Sequence, residues 1–285
     1  MSVFLITGAS RGLGRAIVSA ALDAGHDVVA GVRDTAALDD LGADPARLVV
    51  VPLDVMDQDA ARSAVATAVD RFGRLDVLVS NAGYANVASV EDVDPADFRA
   101  QLDTNLLGVL NLTQAALPVM REQQSGHIVQ ISSVGGRLAT PGLGAYQAAK
   151  WAVGGLSSVL AAEVAPLGIR VTVLEPGGMR TDWAGSSMRV AAIRPDYEPT
   201  VGAVAAIHGS GAIGASEPDA VARLVLDVAA MDEPPLRLLV GPDAYHLATA
   251  AGRALLAEDE RWEALSVSTA AADLTPEQLD PLASA

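Results

Sequence analysis

The sequence predicts an α/β chain built on one doubly wound parallel sheet with helices on both faces, and three observations carry that expectation. Short β-branched runs alternate with longer alanine-rich amphipathic stretches. The runs are almost continuously apolar, as parallel strands covered on both faces require. A glycine-rich turn, Thr7-Gly8-Ala9-Ser10-Arg11-Gly12-Leu13-Gly14, joins the first run to the first amphipathic stretch.

Strands are expected over residues 3–6, 26–32, 48–53, 76–80, 127–131 and 169–174. Helices are expected over 13–24, 57–72, 95–123 and 145–166. Repeated β-α-β order implies right-handed crossovers and the 3-2-1-4-5-6 strand order of the Rossmann class. Pro52 agrees with that order, because proline is tolerated at an edge and the third strand is the edge. The pattern changes after Thr181. Residues 182–216 lose periodicity and read as a substrate-loop region, followed by a helix over 217–231 and a strand over 236–240. One domain is expected: residues 1–243 form its dinucleotide-binding and catalytic body, and 244–285 form a C-terminal helical extension ending near Leu265, with a loose tail.

Composition narrows the function. Hydrophobic residues are 51% and charged residues 19% of 285, the profile of a globular chain with a sizeable core. The net charge of -16 opposes binding to nucleic acid or anionic lipid. With 0 cysteines there are no disulfides and no thiol nucleophile, and the four histidines, His26, His127, His208 and His246, are not at metal-ligand spacing, so no metal site is expected. No apolar run is long enough for a membrane span and none resembles a leader, which predicts a cytoplasmic enzyme. Lys150 is the single lysine among 19 basic residues. A lone ammonium in an arginine-rich chain points to a site that a guanidinium cannot serve.

The chemistry-bearing motifs follow the strand ends. Gly8, Gly12 and Gly14 permit a tight turn and let backbone approach a pyrophosphate at a helix N-terminus, with Ser10, Arg11 and Leu13 between them; an ordinary β–α turn carries glycines too. At the end of the second strand, Val32 stands where a nicotinamide site for NAD places a carboxylate, and Arg33 follows it. With Arg11 directed to the same space, two guanidiniums favour the 2′-phosphate of NADP(H) over NAD(H). Asp34 leaves two uses open, pairing with an arginine or reaching the ribose. Asp54 and Val55 suit an adenine edge, although Asp54 also forms a helix-capping cluster with Asp57. Asn81-Ala82-Gly83 ends the fourth strand with room for a ribose and nicotinamide. Ser133 ends the fifth, and Tyr146 and Lys150 share one helical face at i and i+4. An ammonium beside a phenol, together with an oxidised nicotinamide, lowers a pKa that ordinarily lies near 10, and this is expected of Tyr146.

Taken together, these motifs resemble a classical short-chain dehydrogenase/reductase over residues 3 to about 240, with Asn105 in the long helix and Pro176-Gly177 with Thr181 completing the pattern. The resemblance implies that Ser133 bonds the substrate oxygen and Tyr146 exchanges its proton. It implies that Lys150 holds the nicotinamide ribose, Asn105 anchors a water linking Lys150 to solvent, and Pro176, Gly177 and Thr181 hold the nicotinamide. Ser80 departs from the family's frequent second asparagine, and Gly178 adds a glycine after the proline. The segment after about residue 243 resembles the retinol-dehydrogenase-like or hydroxysteroid-dehydrogenase-like carbonyl reductases.

The expected activity is hydride transfer between NADP(H) and a ketone, aldehyde or secondary alcohol. Val134, Leu138, Leu143, Met179, Trp183 and Met188 make the expected substrate surface apolar, while His208, Arg137 and Arg189 are its candidate polar readers. Two alternatives stand beside it: a sugar-nucleotide epimerase or dehydratase, and an NADPH sensor without turnover. The first usually carries a different glycine turn, and the second typically lacks the tyrosine or lysine. Leu106, Leu107, Val109 and Leu110 near Asn105, and Ala152, Val153, Leu156, Val159 and Leu160 beyond Lys150, make two helices too apolar for one-sided burial. The family pairs these helices across a two-fold axis, so a homodimer or homotetramer is expected. Light scattering should give a mass above the 29.1 kDa of one chain at micromolar concentration; a monomer overturns this.

Overall fold

A computed structural model describes residues 1–181, 188–209 and 214–280. In chain order the strands are β1 (Val3–Thr7), β2 (Asp27–Val32), β3 (Leu48–Pro52), β4 (Val77–Ser80) and β5 (Ala85–Val87), then β6 (Gly126–Ile131), β7 (Ile169–Pro176), β8 (Met188–Val190) and β9 (Arg237–Val240). The helices are α1 (Gly12–Asp23), α2 (Gln58–Phe72), α3 (Pro95–Leu102), α4 (Gly108–Gln123), α5 (Gly144–Val164), α6 (Ala203–Gly209), α7 (Pro218–Ala230), α8 (Pro242–Val267) and α9 (Pro276–Leu279). Seven strands form one parallel sheet in the order β3-β2-β1-β4-β6-β7-β9. This is the expected order with β9 added at the far edge. Pro52 closes β3 opposite Val32 on the outer edge, where its missing N–H breaks no ladder.

Alternation along β1 builds two core layers. Phe4 and Ile6 join Ile17 and Val18 of α1 and Val225 and Val228 of α7 on one face. Val3 and Leu5 join Val65 of α2 and Leu112 and Met120 of α4 on the other. Every β1 residue is therefore buried, which is why the strand reads as unbroken apolar sequence.

Two expectations change. The sequence reads 95–123 as one helix, but a π-helical turn over Asp103–Leu107 separates α3 from α4. Such a turn admits one extra residue and re-aims side chains; here it turns Asn105 inward, where Nδ2 donates to Tyr84 O (2.9 Å) and Gln101 O (2.8 Å). Second, 182–216 is not wholly aperiodic. β8 pairs with β5 in a separate two-stranded sheet and α6 follows, both formed by tertiary partners that local propensity does not contain. The C-terminal helix α8 runs to Val267 with only Ala244 and Ala248 on it buried, and residues 252–280 are exposed throughout. Leu107 and Val159 remain exposed on the two helices read as excessively apolar. Among the described residues no helix is long and apolar enough to cross a membrane.

His127 in β6 is fully buried. Thr172 Oγ1 gives its proton to Pro235 O, so it accepts from His127 Nε2 at 2.9 Å. Burial, with the nearby Arg170 charge second, lowers the His127 pKa to about 4. The unfolded chain takes up this proton near pH 6.5 and the folded chain only near 4, so its contribution is intact above 6.5 and is lost as pH falls toward 4. Unfolding free energies of wild type from urea titration should fall across that window by up to about 3 kcal/mol more than those of His127→Gln. Parallel pH profiles of the two proteins would contradict this.

Candidate active site

One cleft of about 1080 Å³ runs along the carboxyl ends of the central strands. Its volume is at the upper end for small-molecule sites and suits a dinucleotide with a substrate. At one end β1 hands over to α1 through Gly8 (φ +65°) and Gly12 (φ +54°), both in the left-handed region that glycine enters without strain. A Cβ on Gly8 would lie 2.8 Å from Ala82 Cα, and one on Gly14 would lie 2.3 Å from Gly8 O. Thr7 Oγ1 accepts from the N–H groups of Asn81 (3.0 Å) and Ala82 (3.1 Å), and Asn81 Nδ2 donates to Thr7 O (2.9 Å). These bonds lock Asn81-Ala82-Gly83 to the glycine turn. Arg11, the N-cap residue of α1, makes no side-chain capping bond, and the helix opens on the cleft with Gly12, Leu13 and Gly14 in its lining.

Ser10, Arg11, Leu13 and Arg33 line the same end. Val32 is buried, and Asp34 turns away: its carboxylate accepts from Ala36 N (3.1 Å) and caps the short turn Thr35–Leu41. No ion pair of Asp34 with an arginine is present among the described residues. Asp54 and Val55 line the cleft beyond Arg33. Asp54 accepts from Met56 N (3.0 Å), whereas Asp57 alone caps α2. The glycine cradle, the open helix end and the two arginines fit a phosphorylated dinucleotide.

The reactive set lies at the middle of the cleft. Ser133 follows the end of β6 and heads the turn Val134–Gly136, accepting from Gly135 N at 3.0 Å. Tyr146 and Lys150 face it from α5 and both are buried. Lys150 Nζ donates to Ile131 O (2.8 Å) and lies 5.7 Å from the Tyr146 ring centre. Burial pushes the Tyr146 phenol up to about 12, with the Ser133 hydrogen bond opposing, and pushes the Lys150 ammonium down to about 8. Desolvation of the phenolate is thus the dominant influence on Tyr146 in the protein alone; the lowering expected of Lys150 acts together with an oxidised nicotinamide. Asn105 does not reach the cleft. It stands behind Gly83, with Oδ1 accepting from Tyr84 N at 3.1 Å, so its side chain fixes the strand that leaves Asn81-Ala82-Gly83.

At the far end the wall comprises Pro176, Gly177, Gly178, Met179 and Thr181. Gly177 N donates to Val240 O (3.0 Å) and Gly178 N to Asp243 Oδ2 (2.7 Å), so both N–H groups hold the wall rather than a ligand. Of the apolar substrate candidates, Val134, Leu138, Leu143 and Met179 line the cleft, and Met188 packs behind Tyr146. Trp183 lies outside the described residues. His208 lines the cleft from α6 with Nδ1 on Val204 O (2.9 Å), and Arg189 lines it from β8. Arg137 does not; it is paired with Glu175. Sequence reasoning missed Asp243 and Glu175. Glu175 carried a signal, a carboxylate directly after the apolar pair Val173-Leu174 in a strand; Asp243, at the head of a helix, resembled an ordinary first-turn acid.

The comparisons agree with this geometry. A family profile described as short chain dehydrogenase matches residues 2–190. Oxidoreductase BOA17 of Botryotinia fuckeliana is 52% identical over 273 residues, covering 94% of this chain and 99% of that one. A short-chain dehydrogenase structure from Streptomyces avermitilis aligns with a TM-score of 0.89 at 38% identity, covering 95% of this chain and 100% of that one. A Burkholderia cenocepacia short chain dehydrogenase in complex with NADP aligns with a TM-score of 0.72 at 26% identity, covering 91% and 96% of the two chains. With the profile spanning most of the sheet and every reactive motif in order, the chain belongs to the short-chain dehydrogenase family of oxidoreductases.

Proposed function

We propose that the protein is an NADP(H)-dependent oxidoreductase interconverting a hydrophobic ketone or aldehyde and its alcohol. One observation carries this reading: half-buried Ser133 and the buried Tyr146 and Lys150 converge on the wall of the cleft that the glycine turn opens. Gly8, Gly12, Gly14 and the α1 N-terminus would hold the pyrophosphate, Arg11 and Arg33 the 2′-phosphate, Asp54 and Val55 the adenine, Asn81, Ala82, Gly83 and Lys150 the nicotinamide ribose, and Pro176, Gly177 and Thr181 the ring. The chemistry the bound cofactor would supply is hydride exchange with the substrate carbon.

The chain's own residues manage oxygen and its proton. Ser133 orients the carbonyl oxygen, and Tyr146 Oη holds the proton that the oxygen takes as negative charge develops there. A phenol held near 12 by burial stays protonated through neutrality, which suits an acid in the reductive direction. The oxidative direction needs the phenolate, so its rate should climb with pH. Val134, Leu138, Leu143 and Met179 present an apolar surface to the substrate and exclude water. The full set of Ser133, Tyr146 and Lys150 weighs against a sensor without turnover; NADPH fluorescence that rises on binding but never decays across a carbonyl panel would restore that alternative.

Asp34 being occupied as a cap removes the carboxylate that would disfavour a phosphate and supports NADP(H). Each arginine–phosphate bond is worth about 1.5–3 kcal/mol. Arg33→Ala should therefore raise KM for NADPH by about tenfold or more, at little change for NADH. Equal use of both cofactors by the wild type would reverse the assignment. Tyr146→Phe keeps the ring and its packing, so folding and NADPH binding should persist while turnover falls about 10²–10⁴-fold. Lys150→Arg should not restore a Lys150→Ala loss in full, since a planar fork does not replace a compact ammonium. Turnover of Tyr146→Phe within about threefold of wild type would end the claim that Tyr146 is the acid.

A further inference from the structure

Glu175 is fully buried near the end of β7, one residue before Pro176. A carboxylate removed from water persists only if its charge is met. Two guanidinium forks meet it. Arg137 places Nε at 2.7 Å and Nη2 at 2.5 Å from Oε2, and Arg237 places Nε at 3.0 Å from Oε1 with its Nη2 on the same oxygen. None of the three residues lines the cleft.

Their origins matter more than their number. Arg137 ends the turn that Ser133 begins. Arg237 opens β9, and its Nη2 also donates to Gly136 O in that turn at 3.5 Å. Its guanidinium lies flat against α5 at Gly154, where a Cβ would stand 2.9 Å from Nη2. Gly154 continues the face of Tyr146 and Lys150 by one further i+4 step. The same turn rests on α5 directly: a Cβ on Gly136 would lie 2.9 Å from Lys150 O, and Ser132 Oγ donates to that oxygen at 3.3 Å. One carboxylate thus ties the Ser133 turn, the Tyr146 helix and the strand that leads into Pro176.

We propose that Glu175 is a positioning residue for the reaction, holding the Ser133 turn in register with the Tyr146 helix through Arg137 and Arg237. The proposal rests on Ser133 being the group that orients the carbonyl oxygen. Side-chain displacement of about 1 Å costs on the order of 10² in rate, and a role exercised through Ser133 is lost once Ser133 is removed.

A double-mutant cycle on kcat/KM with the best carbonyl substrate reads this. Glu175→Gln should lower kcat/KM by about 30-fold or more with Ser133 present and by about threefold or less in Ser133→Ala. The NADPH Kd from fluorescence should stay within about threefold, and hydrogen exchange should quicken over 132–137 and not in β1 or β4. Arg237→Lys keeps the charge but loses the fork, should show the same pattern more weakly, and carries the cycle alone if Glu175→Gln does not fold. Equal losses in both Ser133 backgrounds, or a loss under about threefold with Ser133 present, overturn the proposal. If Ser133→Ala itself turns over like wild type, the reading of Ser133 fails instead, and unchanged exchange over 132–137 in the Glu175 or Arg237 variant then overturns the positioning role.

Discussion

The site depends on keeping an ammonium out of water. Lys150 is buried on α5, and its Nζ has a backbone carbonyl, Ile131 O, as hydrogen-bond partner at 2.8 Å. Burial disfavours both its charge and the charge of a Tyr146 phenolate, which is why the two groups move toward neutrality from opposite sides. Neither shift would arise on a surface helix. The lysine and tyrosine are therefore poised by packing, and the packing is set by how closely α5 approaches the end of β6.

That approach is bounded on each side by residues with no room to grow. A Cβ on Gly83 would come within 2.6 Å of Asn105 Oδ1, and one on Gly136 within 2.9 Å of Lys150 O. The π-helical turn that aims Asn105 inward belongs to the same arrangement. Without the extra residue, Asn105 would not present both ends of its amide to the backbone of Tyr84. A helix irregularity thereby stiffens a strand exit that forms part of the cleft wall.

The cleft divides by how its walls are held. The glycine-turn end is held by short side-chain-to-backbone bonds that join Thr7, Asn81 and Ala82 at the ends of two central strands. The opposite end is tied through its loops. Arg189 N donates to Asn86 Oδ1 at 3.0 Å, Tyr197 Oη donates to Glu91 at 2.7 Å, and Arg194 pairs with Asp92 at 2.6 Å. Exposed pairs of this kind contribute little each and weaken in salt.

Local chemistry was legible in the sequence wherever it was also local in the fold. The apolar runs, the glycine turn and the Tyr146–Lys150 spacing each express a constraint acting within a few residues, and burial on both faces of β1 imprints directly on its composition. Pro52 announced an edge for the same reason. Tertiary structure decided what depends on distant partners. β8 exists because β5 is beside it, and Asp34 serves as a cap because the following turn closes on it. The Tyr146 phenol is raised in the protein alone because water is excluded around it. Arg137 read as a candidate polar reader of the substrate, and Glu175, 38 positions away, carried no reading of its own. Their pairing beneath the Ser133 turn is a property of the folded chain, since a buried charge chooses its partner only after the strands and helices have placed both within reach.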